Sequence, residues 1–152
     1  MKDWMGKVKP MTLKGQIALP YTWWVGYTGS QFLISLREEE KILGTRCSKC
    51  GRVYVPPRKN CGSCFNDIDE WVDVGNEGVV TAFTIVRYES KLHPVKAPFA
   101  FALVKLDGAD VSLLHIITEN LEALSRGSRV RARFSSKKKG HILDIESFEL
   151  IK

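Results

Sequence analysis

Cys47-Ser48-Lys49-Cys50-Gly51-Arg52-Val53-Tyr54-Val55-Pro56-Pro57-Arg58-Lys59-Asn60-Cys61-Gly62-Ser63-Cys64 holds every cysteine of the chain, in two C-x2-C pairs separated by ten residues. A C-x-x-C pair curls the backbone so that both sulfurs face one point, and two pairs complete the tetrahedron that Zn²⁺ accepts. Gly51, directly after the first pair, suits the tight turn that aims backbone N–H groups at the thiolates. Iron in a rubredoxin-like site is the alternative metal. Two disulfides are the alternative to any metal, opposed by the poor geometry of the two-residue spacing and by a lysine-rich start that does not resemble a secretory leader. Four thiolates leave no open position for water, so the metal is expected to be structural. Arg46, Lys49, Arg52, Arg58 and Lys59 flank it and offset its charge.

Outward from that stretch the pattern changes on both sides. Residues 1–19 carry no stable period and, punctuated by Pro10 and Pro20, read as a loosely ordered arm. Tyr21, Trp23, Trp24 and Tyr27 then cluster among glycines. Ser30 is placed to cap a helix with Phe32, Leu33 and Leu36 on one side, which stops at Glu38, Glu39 and Glu40 because acids oppose the dipole at a helix C-terminus. This aromatic lead-in either covers the chain's own core or docks a partner or ligand. Short strands follow at 42–46 and 53–55, until Pro56-Pro57 stops any ladder. Beyond the cysteines lie strands at 71–74, 78–88, 99–106, 110–117, 129–134 and 142–150, interrupted only by a helix-compatible piece at 118–126. Turn residues fall at Gly75-Asn76, Asp107-Gly108 and Gly140, and a bulge is expected near Ser147 and Phe148.

Three strands, a short link and two more strands is the order of an OB-fold barrel. The predicted architecture is mainly β: an arm and amphipathic helix at 1–40, a rubredoxin-like zinc ribbon at 41–70 and a five-stranded OB-fold at 71–152. With 152 residues, 44% hydrophobic and 26% charged, the chain suits one modest core or two small ones, and no apolar run is long enough to span a membrane. Reduced cysteines point to the cytoplasm.

The net charge of +6 is concentrated. Seven of the 23 basic residues lie between Arg126 and Lys139 with no acid among them, leaving 16 basic residues against 17 acidic ones elsewhere. Arg129, Arg131 and Arg133 alternate with Val130, Ala132 and Phe134, so one strand face is apolar and the other a basic stripe. That stripe is either a solvated face or a contact for phosphates, of a ligand or of nucleic acid. His93, His115 and His141 lie in no catalytic motif, and His115 reads as a hydrogen-bonded barrel residue. Phe83, Phe99 and Phe101 fall in strongly apolar strands, as core residues would. Asp67, Asp69 and Glu70 read as a solvated acidic linker.

The residues from about 20 to 150 resemble a known family, in which a rubredoxin-like zinc ribbon precedes an acyl-CoA-associated OB-fold and which is known as domain of unknown function thirty-five. The resemblance rests on Tyr21 to Gly26 leading to Phe32 and Leu33, on the cysteine run through Pro56-Pro57-Arg58, and on Gly78-x-Val80 leading to Phe83-Thr84. It continues through Pro98-Phe99, Ala102, Val104, Leu106-Asp107-Gly108 and Gly127-x2-Val130. The family often has proline inside a knuckle, where this chain has Ser48-Lys49 and Gly62-Ser63. The resemblance implies a non-catalytic companion of a thiolase, of hydroxymethylglutaryl-CoA synthase or of an enoyl-CoA hydratase, one that binds or channels acyl-CoA. On residue type, Arg129, Arg131 and Arg133 are candidates for the CoA phosphates. Trp23, Trp24, Tyr27 and Phe32 are candidates for the pantetheine and acyl portions or for the partner. The competing class is a single-stranded nucleic-acid binder, and the third a stand-alone thioesterase or hydratase, for which catalytic residues are in poor supply.

Overall fold

The computed structural model of the chain describes residues 5–9, 11–15 and 17–151. Among these described residues the one α-helix, α1 (Gly26–Glu39), starts four residues before Ser30, which therefore lies inside the helix and does not cap it. Val25 stands at the cap position without a side-chain hydrogen bond, and Gly26, at φ +77°, turns the chain into the helix by backbone freedom alone. The end falls where the three glutamates are. Glu40 adopts the left-handed conformation and its N–H returns to the Ser35 carbonyl. Phe32 and Leu36 face inward from α1, and Leu33 packs beside them.

Three strands form the sheet of the cysteine module: β1 (Leu43–Arg46) lies between β2 (Val53–Tyr54) and β3 (Glu70–Asp73), all antiparallel. β3, the first strand after the cysteines, thus pairs with the module and not with the barrel; Thr45 faces Tyr54 on one side and Trp71 on the other. Thr45 is fully buried and holds the returning loop by a reciprocal pair, its hydroxyl donating to the Arg58 carbonyl at 3.0 Å and accepting from the Arg58 N–H at 2.9 Å.

The remaining strands, β4 (Glu77–Val86), β5 (Phe99–Leu106), β6 (Leu113–Ile117), β7 (Arg129–Phe134) and β8 (Ile145–Leu150), close into a barrel in the order β4-β5-β6-β8-β7, with β7 returning to β4. Only β6 and β8 run parallel, meeting at Ile117 and Phe148. This is the expected five-stranded OB-type barrel. Ala100, Ala102, Val104 and Leu106 of β5 point inward, as do Val130 and Ala132 of β7, small residues that a narrow barrel interior can admit. Two bulges bend the wall. Thr81 is the extra residue on β4 and was not foreseen; Glu146 is the extra residue on β8, one position before the expected site.

Three expected elements are shorter than the pattern suggests. Residues 110–112 are not strand, because Asp110 turns toward the cysteine module. Residues 142–144 form one 3-10 turn, whose Asp144 carboxylate accepts from the N–H groups of Lys139, Gly140 and His141. The helix-compatible piece at 118–126 is a run of turns: Asn120 takes φ +54°, which ends any helix, while Leu124 is buried in the core. One core joins all parts, since Phe32 and Leu36 of α1, Ile42, Val53 and Val55 of the module and the barrel interior form a single cluster.

Candidate metal centre and docking surface

The two knuckles are built alike. Gly51 donates its N–H to the Cys47 carbonyl at 2.8 Å, and Phe65 donates to the Cys61 carbonyl at 3.0 Å. Both residues that follow a knuckle are left-handed, Gly51 at φ +73° and Phe65 at φ +56°. Glycine takes that conformation freely, whereas a phenylalanine is strained there.

All four sulfurs lie within 4.8 Å of one another, with Cys47 and Cys64 3.5 Å apart and Cys50 and Cys61 3.6 Å apart. A zinc ion bonded at about 2.3 Å to four sulfurs in a tetrahedron separates them by roughly 3.8 Å, so the donor set fits the metal. The observed sulfur separations are far longer than the roughly 2.05 Å of a disulfide bond, and none of the four cysteines is bridged, which sets aside the two-disulfide alternative. Cys47 and Cys61 are buried, Cys50 exposed. With four thiolate donors and no position left over for water, a zinc ion held by Cys47, Cys50, Cys61 and Cys64 would be structural.

Tyr54 is the site residue that sequence reasoning missed. Buried under the knuckles, its hydroxyl lies 3.2 Å from the Cys61 sulfur and accepts from the Gly62 N–H at 3.1 Å, which leaves its own proton for the thiolate. This hydrogen bond, aided by the N–H groups of Ser63 and Cys64, outweighs burial and holds the Cys61 thiol at about 5. Cys64 is pushed up to about 12, first by the neighbouring Cys61 and then by burial. A dication among four such groups favours the thiolate throughout. Of the flanking cations, Arg58 lies over the Tyr54 ring at 5.4 Å, Arg52 donates to the Ser63 hydroxyl, and Arg46 pairs with Glu70 at 3.4 Å.

The arginine stripe points outward from β7 as its period requires, and it is occupied by carboxylates. Arg129 grips Asp107 with both terminal nitrogens, at 2.6 and 2.8 Å, and reaches Glu77 at 3.1 Å. Arg131 meets Glu77 at 2.6 and 2.9 Å, and Arg133 meets Glu119 at 2.8 Å and Glu146 at 3.4 Å. The pairs hold the Glu77 carboxyl, through Arg131 first, and the Asp107 carboxyl, through Arg129, below the ordinary range. Acids distant in sequence thus balance a segment that contains none.

The aromatic candidates divide. Phe32 is only 4% exposed and sits in the main core, because α1 turns that face onto the barrel; it lines no slot. Trp23, Trp24 and Tyr27 are 71%, 69% and 85% exposed, with Trp24 set edge-on to Tyr27 at 5.0 Å. Beside them Tyr27, Ser30, Ile34 and Trp71 border a shallow groove of about 390 Å³ between α1 and β3. Trp71, on β3, reaches this surface only through the pairing of β3 with β1, which no local pattern indicates. Of the three phenylalanines expected in the core, Phe99 is fully buried, but Phe83 and Phe101 are half-buried and line an outer apolar groove with Leu103 and Leu114. His115 is 5% exposed, its Nε2 3.2 Å from the Ile142 carbonyl, and burial lowers its pKa; it is the hydrogen-bonded barrel residue expected. Among the described residues no helix is long and apolar enough to cross a membrane.

Comparison with known proteins agrees with this division of the chain. Residues 35–70 match the family profile of the ChsH2 rubredoxin-like zinc ribbon domain, and residues 71–135 that of the ChsH2 C-terminal OB-fold domain. A protein of Methanocaldococcus jannaschii named DUF35 domain-containing scaffold protein is 27% identical over 100 residues, 65% of this chain and 71% of its own length. The crystal structure of a DUF35-family protein of unknown function from Sulfolobus solfataricus superposes with a TM-score of 0.58 at 29% identity, over 70% of this chain and 78% of the other. A chain of the Ltp2-ChsH2(DUF35) aldolase superposes with a TM-score of 0.59 at 18% identity, over 83% of this chain and 93% of its own, a likeness of fold.

Proposed function

The chain belongs to the DUF35 family of paired zinc-ribbon and OB-fold domains, and from that membership we propose that it is a non-catalytic companion that scaffolds an acyl-CoA-processing enzyme of the thiolase or hydroxymethylglutaryl-CoA synthase type. The observation that carries the proposal is the exposed surface of Trp23 and Trp24, just ahead of α1, and Tyr27, in its first turn, beside the Trp71 groove; the opposite face of α1 is locked into the core. Large aromatics left in water on a rigid support are what a protein interface uses as anchors. The name scaffold protein, borne by the Methanocaldococcus relative, supports the same reading.

Acyl-CoA enters as the substrate of the assembly. Direct contact between its phosphates and Arg129, Arg131 and Arg133 requires the present carboxylate partners to give way, and the same holds for a nucleic-acid backbone. The docking surface therefore carries the proposal, not the stripe. Purification of the tagged chain from its native cells tests it: one acyl-CoA enzyme should accompany the wild type in fixed ratio and be lost from the Trp23→Ser/Trp24→Ser variant. An equal yield with both variants, or oligonucleotide as the bound species, would overturn it.

A further inference from the structure

Residues 11–23 read Met-Thr-Leu-Lys-Gly-Gln-Ile-Ala-Leu-Pro-Tyr-Thr-Trp. Every odd position except Gly15 is a large apolar residue, a two-residue period that runs through Pro20 and joins the arm to the aromatic cluster. Met11, Leu13, Ile17, Leu19, Tyr21 and Trp23 are all between 71% and 85% exposed. On an extended chain such a period places them on one face of a strand roughly 40 Å long. Among the described residues the arm joins no sheet.

We infer that residues 11–23 bind the partner enzyme as an added β-strand, laid along an exposed sheet edge with the odd-numbered side chains in an apolar groove. The inference rests on the companion reading above and assigns it a binding element. The N–H and C=O of one residue in a strand point to one edge, and those of the next residue to the other. Pro20, and Pro10 in the sequence, both fall in the even set, which lacks donors there and so faces solvent. The pairing edge is that of Leu13, Gly15, Ile17, Leu19 and Tyr21.

Charge specifies the rest of the surface. No acid occurs from Trp4 to Arg37, while Lys7, Lys9 and Lys14 lie along the arm, so the groove has an acidic rim. A second copy of this chain is a poor occupant, because its net charge of +6 repels the same lysines. A bilayer would leave the backbone of a lone strand unpaired, and four of the six stripe residues are aliphatic, without a ring on which bases stack.

Titration calorimetry with the full chain and the purified enzyme recovered as above tests the inference, with zinc content checked for every variant. Gly15→Pro removes a donor from the pairing edge without removing an apolar side chain and weakens binding by about tenfold. Ala18→Pro, on the solvent edge, changes it by no more than about twofold, and Ile17→Asp weakens it by about a hundredfold or more. Equal effects of the two proline variants, or an unchanged affinity of Ile17→Asp, would overturn the strand assignment and leave the companion reading in place. Failure to recover any enzyme with the wild-type chain would overturn both. Binding of the arm to anionic vesicles or single-stranded DNA at physiological salt, with Gly15→Pro and Ala18→Pro alike, would replace the protein partner by that ligand.

Discussion

Val53 and Asp110 hold each other by two hydrogen bonds, although 57 residues separate them: the Val53 N–H donates to Asp110 Oδ2 at 2.8 Å, and the Asp110 N–H donates to the Val53 carbonyl at 3.0 Å. Val53 lies on the outer edge of the zinc-ribbon sheet and Asp110 in the loop between β5 and β6, so this single residue caps the ribbon's open edge and fastens it to the barrel. Asp110→Ala leaves the Val53 N–H without its charged acceptor, at a cost of about 1.5–3 kcal/mol. Urea unfolding should show the lower midpoint, and hydrogen exchange should quicken at Val53. An unchanged midpoint with an unchanged Val53 exchange rate would mean that the core contacts and the hydrogen bond from the Gly108 N–H to the Val74 carbonyl join the two domains without this pair.

Tyr54→Phe removes one hydroxyl and nothing else from the metal centre. The ribbon should still fold around zinc, because the four thiolates and the ring remain, but zinc affinity should fall by about 10- to 100-fold for the lost outer-shell hydrogen bond. Competition with a chromophoric chelator measures it. Cys61→Ser should be harsher, losing the metal and unfolding the ribbon, since so small a module has little other core.

The knuckle turns respond oppositely to substitution. Gly51 has open space where a Cβ would be, so Gly51→Ala costs only the left-handed backbone, about 1–2 kcal/mol. Phe65→Gly relieves the same conformation and should stabilise the ribbon by up to about 1 kcal/mol. Thermal unfolding of the zinc-loaded variants decides the signs; two shifts in the same direction would refute the paired-turn account.

Asp144 sets a pH limit. Burial pushes its carboxyl up, and the N–H groups of Lys139, His141 and Gly140 outweigh that effect and hold it below its usual range. A depressed carboxylate stabilises the folded state fully above its unfolded pKa, about 3.9, and the contribution disappears as pH falls through the folded value. Stability should therefore be flat in this respect from neutral pH down to about 5 and then decline. Asp144→Asn should be less stable at neutral pH and should lose part of the acid decline, measured as the difference between the two proteins so that zinc release cancels. A variant with an identical acid profile would remove Asp144 as the cause.

How much of this was legible in the sequence follows from how local each signal is. The knuckles are local: spacing alone brings Cys47, Cys50, Cys61 and Cys64 to one point. Strand alternation is local too, and it placed Val130 and Ala132 inward and the arginines outward. Partners across the fold are not. The carboxylates that face Arg129 and Arg133 come from other strands and loops, Trp71 reaches the exposed aromatic surface through a strand pairing, and Tyr54 meets Cys61 only once the hairpin closes. Phe32 was misassigned for a related reason, since helical spacing gives a face but not the body that the face will meet.

The central claim, that this chain works as the non-catalytic half of an acyl-CoA enzyme, is tested most directly by acyl-CoA turnover of the enzyme recovered with it. Turnover is measured for the enzyme alone, the chain alone, the two together, and the enzyme with the Trp23→Ser/Trp24→Ser chain. The account expects full activity only from the intact pair, none from the chain alone, and no gain from the variant. Turnover by the isolated chain, or an enzyme equally active without it, would contradict the claim.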